Sequence, residues 1–215
     1  MKIKFFILIV TLLFTGCSLK VNNKYKYRVD ASNSFDSFKK YYLQGKTRLA
    51  SIALKRALQN AKEGSDINSI AKIYIGECAL HNALLIQDSC NEFAQIKDII
   101  SDKNIQNYYL FLTKDFQKID TKFLPERYRD FAKYLKQKEF KNAIKALHKI
   151  KDTDSQIIAA SLIKDKLSKK DIKEIIKLSS SMGYKKATDR WYTLLESKST
   201  AAEKRVIEKK LKLFQ

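Results

Sequence analysis

The chain has 215 residues, which is enough for one domain with a sizeable core or for a short array of helices. Hydrophobic residues make up 45% and charged residues 31% of the sequence, and this balance excludes a disordered chain. Because only five glycines and one proline are present, a strand-rich fold and a glycine-rich nucleotide loop are excluded, and helices joined by short polar turns are favoured.

The charge is strongly positive, at +20 from 43 basic and 23 acidic residues. Residues 120–215 hold 25 of the basic and 13 of the acidic residues, so this part carries +12. The lysines are spread along helical stretches instead of forming one run, which is typical of solvated helix faces. Basic chains often bind nucleic acid, but the N-terminus of this one directs it out of the cytoplasm, so we expect no nucleic-acid partner.

The first residues have the organisation of an export signal. Two lysines among the first four residues give a positive start, and residues 5–14 form a mostly apolar run that is too short to span a bilayer as a helix. A cysteine then follows two small residues, in the segment Phe14-Thr15-Gly16-Cys17.

This segment resembles the processing site of bacterial lipoproteins, in which a Leu-like residue and two small residues precede the lipidated cysteine; here Phe14 stands in the Leu-like position. The resemblance implies that residues 1–16 are a removed signal peptide, that the Cys17 thiol takes a diacylglyceryl group, and that its amine is acylated. Two or three acyl chains would anchor the protein stably to a membrane. An ordinary secretory signal and an uncleaved membrane anchor are the alternatives. Ser18 follows the cysteine where Asp would retain such a protein at the inner membrane, which favours the outer membrane, facing the periplasm.

Beyond the cysteine, the apolar pattern changes once. Residues 17–33 show no sustained helical period, and we expect the lipidated cysteine to be followed there by a polar tether. Residues 34–215 have apolar side chains every three or four positions, which predicts an all-helical, repeat-like domain.

Local signals place some of its helix ends. Ser65-Asp66 should cap one helix, and Thr200 with Glu203 has the spacing of a capping box at another. A break near Gln87 should precede a further apolar helical period.

Three stretches have the spacing of antiparallel helical hairpins. In the clearest, Tyr134 lies nine residues before Ala143, and Leu147 and Ile150 follow. A small residue at the closest approach lets two helices pack tightly while bulky residues fill the groove around it. This resembles a tetratricopeptide-type hairpin. Two further copies are suggested by Tyr41, Ala50, Leu54 and Ala57, and by Leu178, Ala187, Trp191 and Leu194.

The three copies are not separated by the repeat length of that family, and none has its closing proline. The predicted fold is therefore all-α, with the hairpins stacked as a short irregular tetratricopeptide-like α-solenoid; an irregular helical bundle is the alternative.

Cys78 and Cys90 are an even pair in an exported chain, which makes them a disulfide candidate. Two buried free thiols are the alternative. Cys78, His81 and Cys90 could also be three metal ligands, but the paired Cys or His motifs typical of zinc sites are missing, so we predict no metal.

Reactive constellations are not apparent in the sequence. Neither His81 nor His148 lies in a motif that would make it the base of a nucleophile, and the glycines are isolated. Carboxylates that could form a hydrolytic pair are ordinarily solvent-facing helix charges; they are Glu77, Glu92, Glu126 and Glu139. The sequence predicts no catalytic residue and no cofactor.

These features together predict a lipid-anchored, non-catalytic scaffold or assembly factor that binds another protein of the bacterial cell envelope, because stacked helical hairpins present concave surfaces to protein segments. The partner protein is not identified by any motif. The alternative is a basic module that contacts an anionic envelope polymer such as peptidoglycan, or an anionic lipid surface. A cell-wall glycan hydrolase is a third reading.

Overall fold

The computed structural model describes residues 23–214, which form helices and turns without a strand. The all-α prediction is therefore confirmed. Short 3-10 turns occupy Lys97–Ile99, Phe116–Lys118, Thr121–Phe123 and Lys164–Lys166. The α-helices are α1 (Asn23–Gln44), α2 (Thr47–Glu63), α3 (Ile67–Ala83), α4 (Asn91–Ala94), α5 (Lys103–Leu112), α6 (Glu126–Lys136), α7 (Phe140–Leu147), α8 (Thr153–Leu162), α9 (Lys169–Ser181), α10 (Lys185–Ser197) and α11 (Ala201–Phe214).

Helix α1 starts eleven residues earlier than the sequence pattern indicated, so residues 23–33 are helix and not tether. This first part of the helix has no apolar stripe facing the core. Its larger apolar side chains, Tyr25 and Val29, are exposed, and only the small side chain of Ala31 is buried. An exposed helix lacks the three-to-four period on which the prediction depended. The signal peptide, Cys17 and the remainder of the tether lie outside the described residues.

The three predicted hairpins are present as α1–α2, α6–α7 and α9–α10. Each closes with the same turn, in which one residue takes the left-handed conformation: Gly45 (φ 82°), Lys138 (φ 61°) and Gly183 (φ 66°). The following residue donates its N–H to the carbonyl five positions earlier, at 2.9 Å in all three turns. This is the Schellman arrangement that ends a helix. The same turn also ends α2, α3 and α5, where Ser65, Leu85 and Lys114 are left-handed, so it is a recurrent helix end in this chain and is not confined to the hairpins.

The turns also fix the register of the copies. Ala50 and Ala143 each lie five residues after the left-handed residue, and the equivalent position of the third hairpin is Thr188. The expected alignment through Ala187 is therefore shifted by one residue. Thr188 Oγ1 donates to Ser179 Oγ across this hairpin at 3.1 Å. Ala187 and Thr188 are both small and buried, so the sequence could not show which of them faces the other helix.

The hairpins stack, and the stack closes on itself. Helix α1 contacts α3 and α10, α3 contacts α8, and α8 contacts α9. Lys39 of α1 forms an ion pair with Asp154 of α8 at 2.8 Å, and the Trp191 indole N–H of α10 donates to the carbonyl of Ala83 at the end of α3, at 3.0 Å. The first and third hairpins are thereby held in one body.

The region between α3 and α6 is less regular than expected. The apolar period after Gln87 forms the single turn of α4 and a 3-10 turn instead of a long helix. Aromatic packing supports this region, with Phe93 against Tyr109 and Phe111 against Tyr128 at ring-centroid distances of 5.0 and 4.8 Å. Large rings fill the volume that a regular helix would otherwise occupy.

Both predicted caps are confirmed. Asp66 accepts the backbone N–H of Ser69 at 3.2 Å at the start of α3. Before α11, the Thr200 backbone N–H donates to the Glu203 carboxylate at 2.8 Å, and the Glu203 N–H donates to Thr200 Oγ1 at 3.4 Å. Each cap satisfies amide groups that would otherwise lack a partner at the helix start.

Candidate functional site

A groove of about 670 Å³ lies between α9, α10 and α11. Helices α9 and α11 form its two walls, and each contributes residues at positions i, i+3, i+4 and i+7, the spacing of one helix face. The wall residues are Lys173, Ile176, Lys177 and Ser180 of α9, and Glu203, Val206, Ile207 and Lys210 of α11. Helix α10 contributes Tyr192 and Leu195.

Local sequence holds the two walls at their N-terminal ends. Helix α9 starts with a capping box between Ser168 and Asp171, and α11 starts with the box between Thr200 and Glu203. The Lys169 ammonium contacts both oxygens of the Glu203 carboxylate at 2.9 Å, which joins the start of α9 to the start of α11. The wall positions are therefore set by backbone caps and one ion pair.

The groove exposes apolar surface. Ile176, Leu195 and Ile207 are 6%, 3% and 6% exposed and belong to the core, whereas Val206 on the α11 wall is 55% exposed. An apolar strip thus runs from the core to solvent along α11. Apolar surface of this kind, when rimmed by polar side chains, is typical of binding surfaces.

The rim of the groove is basic. Lys173, Lys177 and Lys210 form no ion pair with the residues that the structure describes. The carboxylate on the rim, Glu203, is already engaged, and hydrogen bonds from Lys169 and Thr200 lower the pKa of Glu203 to about 2. Three uncompensated ammonium groups therefore surround the apolar strip.

A second polar region lies at the end of α3. Cys78 and Cys90, the pair named from the sequence, are joined in a disulfide with a Cα–Cα distance of 5.1 Å. Cys90 has a left-handed conformation (φ 54°), and its backbone N–H donates to Asp88 Oδ1 at 2.8 Å. The other oxygen of Asp88 contacts His81 Nδ1. The disulfide loop therefore folds back so that Asp88 contacts the helix that carries His81.

This arrangement does not form the metal site considered from the sequence. The two sulfurs are bonded to each other, and neither can then act as a thiolate ligand beside His81. Among residues 23–214, no group of three or more His, Cys, Asp or Glu residues is arranged to hold a metal ion.

The carboxylates considered for hydrolysis differ in their surroundings. Burial raises the pKa of Glu77, the His81 charge lowers it, and Glu92 and Asp88 raise it further. Glu92, Glu126 and Glu139 are exposed. Hydrolysis of a glycosidic bond needs two carboxyl groups held on opposite sides of the bond. Of these four carboxylates, Glu77 is half-buried and the other three are exposed, so the four do not share one environment.

Tyr42 lies beside the same cluster. Its ring is 5.6 Å from the His81 ring, and the Lys186 ammonium lies over it, 4.4 Å from the centroid. Burial and the charges of Glu77 and Asp88 raise the pKa of Tyr42 to about 12. The cluster joins the first hairpin to α3 and α10, so its observed contacts are those of a structural junction.

The five residues predicted to pack the hairpins are structural in position. Ala143, Leu147, Ala187 and Trp191 are fully buried, and Tyr134 is half-buried against the core. None of the four buried side chains can contact a partner. They stabilise the hairpins on which the groove is built.

Comparison with known proteins gives no relative from which to transfer a function. No family model matches the chain, and no curated protein and no solved structure matches it either. Within residues 23–214, no helix is both long and apolar enough to cross a membrane.

The groove was not predictable from the sequence alone. Val206, Ile207 and the lysines of α9 and α11 read as ordinary amphipathic helix residues, because which faces of two helices meet depends on tertiary packing. A partial signal was present in the sequence, because Lys173, Ile176, Lys177 and Ser180 have the same i, i+3, i+4, i+7 spacing as Glu203, Val206, Ile207 and Lys210. Both helices combine apolar and basic residues on one face.

Proposed function

We propose that this chain is a lipoprotein of the bacterial cell envelope, anchored through Cys17, which binds an amphipathic helical segment of another envelope protein in the groove between α9 and α11. It acts as a non-catalytic scaffold or assembly factor and needs no cofactor. The observation that carries the proposal is the open apolar strip that includes Val206, bordered by three lysines that pair with no carboxylate in the described part of the chain.

Charge complementarity selects the kind of segment. Helices that bind in grooves place apolar side chains at i, i+3, i+4 and i+7 into the groove. Next to those positions, the occupant of this groove would carry Asp or Glu to face Lys173, Lys177 and Lys210. A segment with basic flanks would meet repulsion from the same rim.

The test uses three synthetic helical peptides with one apolar pattern and with acidic, neutral or basic residues on the flanks. Binding to the full chain carrying Cys17→Ser is measured by fluorescence polarisation. We expect the acidic peptide to bind tightest and the basic peptide weakest. Val206→Asp should weaken binding of the acidic peptide by at least about tenfold, because the substitution puts a carboxylate into the apolar strip.

Matched variants separate the groove from general attraction to a basic protein. The double variant Lys173→Gln, Lys177→Gln should weaken binding of the acidic peptide. The double variant Lys141→Gln, Lys145→Gln on α7 removes the same charge from exposed positions and should have little effect on this binding. Ile99→Asp is the control for Val206→Asp, since Ile99 is 67% exposed and lies outside the groove. Equal losses in the two lysine pairs would contradict groove binding.

Anionic vesicles and purified peptidoglycan are included in the same experiment at two salt concentrations. Salt-sensitive binding to vesicles or peptidoglycan, together with no preference among the three peptides, would contradict the scaffold function. It would favour a basic module that contacts an anionic surface.

The anchor is tested separately. The intact mass of the membrane-extracted protein should show loss of residues 1–16 and addition of acyl groups at Cys17. A Cys17→Ser chain should leave the membrane fraction, and one that remains fully membrane-bound would contradict the anchor.

A further inference from the structure

A polar cleft of about 550 Å³ lies where the C-terminal ends of α3, α5 and α8 meet the disulfide loop. This volume lies in the usual range for small-molecule sites. The cleft is separate from the groove between α9 and α11, since the two share no lining residue. The residues that matter for its chemistry are Asn82, Asp88, Lys114 and Lys164.

Three hydrogen-bond donors of the cleft have no partner among the residues that the structure describes. The Nδ2 atom of Asn82 is buried and donates no hydrogen bond to residues 23–214. Lys114 and Lys164 form no ion pair with any residue that the structure describes. A buried amide hydrogen without an acceptor is unfavourable, so an acceptor from a ligand would be stabilised there.

The acidic group of the cleft is already satisfied. Asp88 contacts His81 through one oxygen and accepts the Cys90 N–H through the other. Burial and the charge of Lys164 lower the pKa of Lys114, and Asp165 partly offsets this. The two ammonium groups therefore lie near enough to repel one another, and an anion between them would relieve the repulsion.

The backbone at Lys114 has the left-handed conformation that also occurs at Lys138. Lys114 has a left-handed conformation (φ 63°) at the turn that ends α5, where its N–H donates to the carbonyl of Phe111 and the next N–H, of Asp115, donates to Leu110. Glycine is the residue that adopts this conformation at least cost. A lysine in that position brings an ammonium group to the cleft.

We propose that this cleft binds a small molecule carrying a carboxylate or phosphate group, whose oxygens accept hydrogen bonds from Lys114, Lys164 and Asn82. The three donors line one cleft at three different helix ends, and hydrogen bonds from ammonium groups to carboxylate or phosphate oxygens are stronger than neutral ones. This site does not depend on the groove or on the lipid anchor.

The experiment follows the Asn82 side-chain amide by NMR in the full chain carrying Cys17→Ser. Inorganic phosphate and succinate are the two probes, and their relative affinities distinguish a phosphate from a carboxylate ligand. We expect a saturable shift of the Asn82 Nδ2 resonances with at least one probe. Lys114→Gln with Lys164→Gln should weaken that binding by at least about tenfold.

Lys141→Gln with Lys145→Gln is the matched control, because it removes the same charge from exposed positions of α7 that line neither the cleft nor the groove. Lys114→Gly is a second variant that suits the left-handed backbone and removes the ammonium group, so it tests the site even if the double variant does not fold. A shift that never saturates, or that persists equally in the cleft and control variants, would overturn the proposal. The lysines would then serve only to offset the negative partial charge of the helix ends, and their removal would lower stability without affecting anion binding.

Discussion

Asp66 combines two roles at the start of α3. It caps the helix by accepting the N–H of Ser69, and it pairs with Arg28 of α1, whose Nε lies 2.7 Å from Asp66 Oδ2. Burial raises the pKa of Asp66, but hydrogen bonds from Arg28 and Ser69 outweigh burial and hold that pKa below its usual value. One carboxylate therefore joins a helix cap to the contact between α1 and α3.

Replacing Asp66 by Ala should lower the free energy of unfolding by about 1–2 kcal/mol, because the helix cap is lost. The lost ion pair with Arg28 adds little to this, since Arg28 is exposed. Urea denaturation measures this loss. Because the folded pKa lies below the unfolded value, the stabilisation is complete above about pH 5 and is lost as the pH falls through the folded pKa. The difference between wild type and variant should therefore shrink in acid.

The control for this change is Asp98→Ala, which removes the same charge from an exposed position that makes no hydrogen bond or ion pair with the described residues. It should change stability by less than about 0.5 kcal/mol. A difference between wild type and Asp66→Ala that grows toward low pH would contradict the assigned role of the carboxylate.

At the scale of elements, the hairpin turn can be tested at Gly183. Its φ is 66°, and an added Cβ would meet nothing within 4 Å, so Gly183→Ala changes the backbone preference without a steric clash. We expect the free energy of unfolding to fall by about 1 kcal/mol, which is the cost of a left-handed residue with a Cβ. Chemical denaturation monitored by circular dichroism measures it.

Lys138 supplies a matched control at the equivalent turn. Its φ is already 61°, so Lys138→Ala keeps a Cβ in the left-handed conformation and should be nearly neutral. Lys138→Gly should be neutral to slightly stabilising, because relief of the strained φ opposes the greater freedom of glycine in the unfolded chain. Equal losses in Gly183→Ala and Lys138→Ala would show that turn conformation is not the cause.

The disulfide stabilises a second element, the loop after α3. Replacing Cys78 and Cys90 by Ser should lower the free energy of unfolding by up to about 3 kcal/mol, because the bond closes a short loop in the unfolded chain as well as in the folded one. Thermal unfolding with and without reductant measures the effect. Reductant should destabilise wild type and leave the double variant unchanged; a wild type shown by mass to be reduced, yet equally stable, would contradict this.

The element scale also shows how far the sequence could be interpreted. The hairpins at Tyr134–Ala143 and Tyr41–Ala50 were predictable, because a small residue flanked by apolar ones is the pattern that lets two antiparallel helices pack closely. The third register was shifted by one residue, since Ala187 and Thr188 fit the pattern equally. The start of α1 was missed because its exposed turns carry no apolar period, and the groove depends on how α9 and α11 meet, which no local pattern contains.

At the scale of the whole molecule, closure of the hairpin stack depends on a few long-range contacts. Asp154 of α8 has a side chain that is 13% exposed, and its ion-pair partner is Lys39 of α1. Tyr184, the residue before α10, lies near the same carboxylate, and burial and the Asp154 carboxylate raise the pKa of Tyr184. The first and third hairpins therefore meet at one buried charge.

Lys39→Ala should lower the free energy of unfolding by about 1–2 kcal/mol, because the Asp154 carboxylate loses its cation while Lys39 itself is partly exposed. Trp191 is the only tryptophan of the chain, and its indole N–H bonds to Ala83, so its fluorescence reports the same closure. We expect fluorescence and circular dichroism to follow a single transition in wild type. The fluorescence change should come earlier in the variant if closure is lost before the helices unfold.

The dependence of this difference on pH gives the prediction a second constraint. Burial lowers the pKa of Lys39, but the hydrogen bond and charge of Asp154 outweigh burial and raise that pKa above its usual 10.5. The stabilisation by Lys39 is therefore present below pH 10.5 and is lost as the pH rises through the folded pKa. Lys40→Ala, one residue along on the exposed side of α1, is the matched control and should be nearly neutral at every pH. A loss of stability in Lys39→Ala that is no larger than in Lys40→Ala would show that the stack is closed by packing alone.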